Sequence, residues 1–264
     1  MDGERTLPTA VISDIHANAE ALRAVLADID SRGVDRLICL GDIVGYGPDP
    51  LECGDMVRRR CEWSLLGNHD YAVLYEPTNF NPSAEASAFW TRDRFDAEAD
   101  EALKTERYDF LGHLRVRIVE KTPGGDTQIL AVHGSPRRPI NEYIFDSDPR
   151  NAPEKIEAIF ERVEQLAIVG HTHVPGVFTD EPDFYPPEEL GESTYKFLDD
   201  EKAIINVGSV GQPRDGDARA SYAVLHADRV EFVRVAYDAE KTAQRIREIP
   251  QLDPWLGERL LEGK

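Results

Sequence analysis

The sequence predicts an α/β fold, and three observations carry that expectation. Short apolar runs alternate with segments of helical period through the first half of the chain. Apolar runs follow one another without helices between them toward the end. Polar residues and glycines stand where the apolar runs stop, which is where open α/β sheets present their ligands.

The run TAVIS (9–13) reads as the first strand. The segment after it places Ala21, Leu22, Val25, Leu26 and Ile29 on one helical face, and Gly33 ends that helix. VDRLICL (34–40) is a second buried strand, DPLECGDMVRRRC a helix, and EWSLL (62–66) a third strand. Such a βαβαβ opening implies a parallel sheet with right-handed crossovers. Residues 82–113 read as helical, with Phe89, Trp90 and Phe95 as packing anchors. RVRIVE (115–120) and QILAVH (128–133) form a hairpin around GGD (124–126). A helix over 153–165 leads into LAIVG (166–170), followed by a Pro- and acid-rich insertion (180–193). AIINVG, SYAVLHA and RVEFVRVAYD complete the strands, with a turn at Ala227–Asp228.

A chain of 264 residues can bury one large core, and nothing in it demands two. One domain is expected over residues 1–237, with a helical tail over 238–264 docked on the body or on a partner subunit. No apolar run approaches the roughly 18 residues that span a bilayer, so no membrane partner is expected. The N-terminal MDGERTLPTA lacks a signal-peptide core. Cys39, Cys53 and Cys61 form no C-x-x-C pair and leave an odd number, which fits reduced thiols in a cytoplasm. A net charge of −20 argues against stable nucleic-acid binding, which needs a basic stripe.

The strand ends carry the chemistry. In order they are Asp14-Ile15-His16, Gly41-Asp42, Gly67-Asn68-His69-Asp70, His133-Gly134 and Gly170-His171-Thr172-His173. Five of the seven histidines stand at such ends, so the clusters are expected to converge. Glycines beside them let the backbone turn and approach closely. Imidazole, carboxylate and amide oxygen suit borderline divalent metals, and Asp42 could bridge two of them. No cysteine accompanies the clusters, which argues against structural zinc. Two metals roughly 3.5–4 Å apart activate water and clamp the oxygens of an in-line displacement at phosphorus. Their charge outweighs two carboxylates and a hydroxide, so such a site stays positive in an acidic protein and draws phosphate.

The series D-x-H, G-D, G-N-H-D, H-G and G-H-T-H, in this order over residues 9 to about 236, resembles the calcineurin-like metallophosphoesterase family. NVGSVGQPRDGDARASYAVL and HGSPRRPINEYIF are similar to its small bacterial and archaeal phosphatase/phosphodiesterase-like branch. The resemblance implies a four-layer α/β/β/α sandwich of two mixed β-sheets. It implies two divalent ions, manganese foremost in vitro, with iron, nickel, zinc or magnesium as alternatives. One ion would take Asp14, His16, Asp42 and His173, the other Asp42, Asn68, His133 and His171. A hydroxide bridging them would attack a phosphomonoester or phosphodiester. His69 would assist the leaving oxygen and Asp70 would orient His69.

One stretch departs from the protein phosphatases and dinucleoside tetraphosphate hydrolases of the family. They read G-D-x-V-D-R-G, whereas here Tyr46 stands where their phosphate-clamping arginine would be. Arg214, Arg137 or Arg138 must then supply the cation, with Arg214 preferred for its Gly- and Pro-bearing loop. The alternative for Arg214 is an ion pair with Asp215 or Asp217. Asn18 either caps the first helix or contacts phosphate. His113 and His226 lie apart and are expected to be structural. The expected partner is a small phosphorylated substrate, with a homo-oligomer left open. The alternatives are a non-catalytic protein-binding scaffold of the same fold, or a protein or dinucleoside-polyphosphate phosphatase.

Overall fold

The structure, a computed structural model, describes residues 7–264; the first six residues of MDGERTLPTA lie outside the described residues. The chain runs β1 (Thr9–Ile12), α1 (Ala19–Ser31), β2 (Arg36–Cys39), α2 (Pro50–Arg60), β3 (Trp63–Ser64), α3 (Asn68–Leu74), α4 (Pro82–Asp96) and α5 (Glu101–Gly112). It continues with β4 (Arg117–Lys121), β5 (Gln128–Val132), α6 (Asp148–Asn151), α7 (Pro153–Phe160), β6 (Leu166–Val169), β7 (Gly176–Thr179) and β8 (Asp183–Tyr185). The last elements are β9 (Thr194–Lys196), β10 (Ala203–Asn206), β11 (Ala220–Leu225), β12 (Arg229–Val235), α8 (Ala239–Arg247) and α9 (Trp255–Glu262).

Two six-stranded mixed sheets result. The first has the order β3-β2-β1-β11-β12-β9 and the second β4-β5-β6-β10-β7-β8. Within them β1, β2 and β3 run parallel, as do β5, β6 and β10. Strand periodicity sorts the core into layers. Val11, Ile38, Ile129, Ala131, Leu166 and Ile168 fill the space between the sheets. Their neighbours Ala10 and Ile12 face α1 residues Leu22 and Val25 on one outer surface. Leu130, Val132, Ala167 and Val169 face Ile156, Ile159 and Phe160 of α7 on the other. This is the expected α/β/β/α sandwich. Among the described residues no helix is long and apolar enough to cross a membrane.

Local chemistry redraws some expected boundaries. The helical stretch over 82–113 is two helices, because the Asp100 side chain accepts the N–H of Ala102 and of Leu103 and starts α5 afresh. The third strand shortens to Trp63–Ser64, with Leu65 bridging Arg115. The insertion at 180–193 contains β8 and two 3-10 turns and delivers β9 to the edge of the first sheet. The tail folds as α8 and α9, where Ile246, Leu252, Leu256 and Leu260 pack with Tyr46 and Ala84 of the same chain.

Candidate metal centre

Every polar cluster anticipated at a strand end lies just beyond the carboxyl end of β1, β2, β3, β5 or β6. The turns that hold them are strained. Ten described non-glycine residues have positive φ, and seven of them are Asp14, His16, Ala17, Asp42, Tyr46, His171 and His173. Side chains other than glycine adopt that region at a cost, and such residues gather at functional sites. The glycines permit the crowding. A Cβ on Gly67 would meet Asp42 Oδ1 at 2.0 Å, and one on Gly45 would meet His69 Nδ1 at 2.4 Å.

The ligand-type side chains converge. Donor atoms of Asp14, His16 and His173 lie within 4.8 Å of one another, as do those of Asp42, His133 and His171. A third such group joins His69 to His16 and Asp42. His173 Nε2 is 3.2 Å from Asp14 Oδ1, and His133 Nε2 is 3.4 Å from Asp42 Oδ2. His16 Nε2 lies 3.1 Å from His173 Nε2. His16, His133 and His173 turn Nδ1 toward the carbonyls of Val44, Leu40 and Gln212 at 3.3, 3.0 and 2.5 Å. Donation from Nδ1 fixes the tautomer and leaves the Nε2 lone pairs facing the cluster, the usual outer support of metal-ligating histidine.

The donor set fits divalent cations by a second observation. Asp14 Oδ1, Asn68 Oδ1, His133 Nε2 and His171 Nε2 are buried with no hydrogen-bond partner among the described residues. An orphaned buried polar atom costs about 1–3 kcal/mol, so several together call for an occupant. The electrostatics agree. Burial opposes the charge on Asp14 and Asp42, yet the imidazoles, His173 for one and His133 for the other, hold both carboxyls well below their usual range. Burial pushes His69 down to about 4 and His171 down to about 3. His133 alone rises, to about 9, because the Asp42 carboxylate overcomes its burial. The cluster thus attracts positive charge beside its carboxylates.

Two expected roles are corrected. The Asp70 carboxylate does not hold His69, whose Nδ1 is without a partner. It accepts the backbone N–H of Asp42 at 2.8 Å, Ile43 at 2.9 Å, Val44 at 3.2 Å and Gly67 at 3.1 Å, and so shapes the turn carrying Asp42. Asn18 is not available to phosphate. Its Oδ1 caps α1 through Ala21 N–H and accepts from Thr242, while Nδ2 donates to Gly211 O and the Tyr237 hydroxyl.

Arg214 stands at the edge of the cluster. Its guanidinium carbon is 6.0 Å from the centre of the Tyr46 ring, and its backbone N–H donates to His173 O. One Nη donates to Gln212 at 2.7 Å, while Nε is buried without a partner. Neither neighbouring aspartate pairs with it, since Asp215 binds Arg234 and Asp217 binds Arg219. Arg137 is tied to Glu142. Arg138 lines the adjoining cavity. Sequence reasoning missed Tyr143, stacked on His171 at 3.8 Å, and Phe80, 4.7 Å from His69. Neither follows a strand end, and their loops carry no strand signal that would place them here.

Two mixed sheets with an Asp/His cluster beyond their carboxyl ends are the arrangement of metal-dependent phosphoesterases. The chain belongs to the calcineurin-like phosphoesterase superfamily, whose domain matches residues 7–229. It is 39% identical over 260 residues to an uncharacterized protein of Methanocaldococcus jannaschii, covering 97% of this chain and 98% of that one. A crystal structure of a metallophosphoesterase from Sphaerobacter thermophilus is 37% identical with a TM-score of 0.79, over 98% of this chain and 99% of that one. A hypothetical protein from Pyrococcus horikoshii shares the fold at 20% identity and a TM-score of 0.73, over 98% and 99% of the two chains.

Proposed function

We propose that the protein is a phosphoester hydrolase working with two divalent ions on a small phosphomonoester or phosphodiester. The observation that carries this reading is the set of buried, partnerless donor atoms on Asp14, Asn68, His133 and His171 beside the convergent carboxylates and imidazoles. Asp14, His16, Asp42 and His173 would hold one ion, and Asp42, Asn68, His133 and His171 the other. Such ions supply acidification of water and neutralisation of phosphoryl charge. The residues of the chain do the rest. Asp70 fixes the turn that aims Asp42, and the backbone carbonyls fix three imidazoles. His69 is neutral near pH 7, because burial lowers its pKa to about 4. It therefore serves as an N–H donor to the leaving oxygen rather than as an imidazolium. Arg214, stacked toward Tyr46, supplies the guanidinium for the phosphate in place of the family's usual arginine.

The three cysteines are free, which supports a cytoplasmic location. The test of function is metal analysis of the purified protein together with hydrolysis of aryl phosphate mono- and diesters, with and without added Mn²⁺. Stoichiometric metal and metal-dependent turnover are expected. A metal-replete protein inert toward both esters would overturn the reading in favour of a binding scaffold.

A further inference from the structure

A cavity opens beside the cluster, and its size and walls say more than phosphate. Its volume is about 500 Å³, within the roughly 300–1,000 Å³ typical of sites that enclose a small organic ligand. Loops of the first sheet give it a run of rings, with Tyr46 4.3 Å from His69 and His69 4.7 Å from Phe80. Loops of the second sheet give it Tyr143, stacked on His171 at an angle of 16°. Phe145 extends that stack behind Tyr143 at 5.3 Å and 7°. Both faces of Tyr143 are thus met by flat groups, so it offers the cavity its rim rather than a free face.

The polar part of the lining is mostly neutral. Asn79 and Asn141 line the cavity, and neither amide is hydrogen-bonded among the described residues. Among the described residues, Arg138 is the one lysine or arginine of the lining and Glu76 its one carboxylate. A chain of further phosphates would meet too few cations here. A glycerol ester offers no flat face to lay on the rings. A ring with polar edges satisfies both features, since aromatic faces stack on it and amides bond its edge.

We propose that the organic group of the substrate is a nucleobase, so that the substrate is a nucleoside phosphoester whose base stacks on Phe80, beside the rim of Tyr143, with its edge toward Asn79 and Asn141. This rests on the phosphoesterase reading above. Stacking on one aromatic residue is worth about 1–3 kcal/mol, or about 5- to 150-fold in affinity. The base thus adds to affinity, while the reacting phosphorus sits at the cluster.

The test uses the full chain in metal-loaded form, with Phe80→Ala, Tyr143→Ala and the milder Phe80→Leu and Tyr143→Leu. Steady-state kinetics compare adenosine 5′-phosphate, 2′,3′-cyclic adenosine phosphate, glycerol 3-phosphate and a phosphoserine peptide. Calorimetric titration measures binding of adenosine 5′-phosphate and of glycerol 3-phosphate, and thermal melting checks folding. A nucleoside ester should show a KM at least about tenfold below that of glycerol phosphate. Phe80→Ala should collapse that ratio toward one, through KM more than kcat, with adenosine 5′-phosphate binding about tenfold weaker, and Tyr143→Ala should lower it less. Equal KM values across the panel, preference for the peptide, or Phe80 variants that bind adenosine 5′-phosphate as wild type does would overturn the proposal. If no ester is cleaved, the hydrolase reading fails by itself, and calorimetry still decides the base site.

Discussion

Asp42 and Asp70 brace each other through the main chain. Asp70 Oδ2 accepts the N–H of Asp42 at 2.8 Å, and Asp42 Oδ1 accepts the N–H of His69 at 2.8 Å. Two turns from different strands are thus locked by reciprocal, buried carboxyl groups, of which burial and the neighbouring Asp42 push Asp70 up to about 7. A hydrogen bond contributes about 0.5–1.5 kcal/mol and Asp70 accepts from Asp42, Ile43, Val44 and Gly67, so Asp70→Asn should cost about 2 kcal/mol or more of stability. Thermal melting of the metal-free protein should drop, and metal should bind more weakly because the Asp42 turn loosens. Unchanged melting with a selective loss of rate would return Asp70 to a role at His69.

Asp42→Asn removes the one carboxylate shared by the two proposed ion sets. Turnover should fall by at least about two orders of magnitude, on the several-kcal/mol scale of metal charge stabilisation. Metal content, measured on the same preparation, should fall with it. Full occupancy with near-normal turnover would rule out the bridging assignment.

At His69 the question is ligand or donor. Its donor atom lies within 4.8 Å of those of His16 and Asp42, close enough for either. His69→Ala should keep both ions and lose about 10²–10⁴-fold in rate. The loss should be larger for an alkoxide leaving group than for nitrophenolate, which needs little help. Loss of an ion would instead make His69 a ligand.

Arg214 offers a cleaner separation, because Asp215 and Asp217 are already held by Arg234 and Arg219. Arg214→Ala should therefore weaken binding of substrate and inorganic phosphate about tenfold or more while melting hardly moves. Arg214→Lys should restore part of that loss, since an ammonium cannot bond two oxygens in a plane. A fall in melting with phosphate affinity intact would point to Arg138.

Acid should destabilise the metal-free protein early. An unfolded histidine titrates near 6.5, whereas burial holds His69 at about 4 and His171 at about 3. As pH falls through that window the unfolded chain takes up protons that the folded one refuses, so stability declines below about pH 6.5. His133, held at about 9 by Asp42, acts oppositely: its contribution is full below 6.5 and lost as pH rises through 9. Melting temperature followed against pH should fall on both sides of near-neutral pH. A plateau down to pH 4 would contradict the buried neutral imidazoles.

The strand ends were legible because residue type and position coincide there. A histidine or aspartate with glycine after a run such as TAVIS or LAIVG is a pattern of covalent order, and parallel pairing converts it directly into proximity. Asp70 was misread for the converse reason. It adjoins His69 in sequence, yet its oxygens serve residues 42–44, brought near only by the pairing of β2 with β3. Asn18 was left between two roles, and the packing of Gly211, Tyr237 and Thr242 around it decides for the cap. The short α3 hid within GNHDYAVL, since seven residues hold too few periods to read. Phe80 and Tyr143 reach the cavity through loops whose paths depend on the finished sandwich, and no local spacing encodes them.

The placement of β1 has a consequence for how the chain comes to exist. On one side β1 pairs with β2, some thirty residues away, and on the other with β11, where Thr9 faces Leu225. Until that late segment is made, the edge of β1 stays open, and the turn bearing Asp14 and His16 lacks the Ser209–Gly211 loop that bonds it. Pairings this remote in sequence form slowly and leave unpaired edges exposed meanwhile. Recovery of active protein should therefore depend on synthesis temperature and chaperone supply. Truncation before residue 220 should give insoluble chains, even though all nine cluster residues from Asp14 to His173 precede that point.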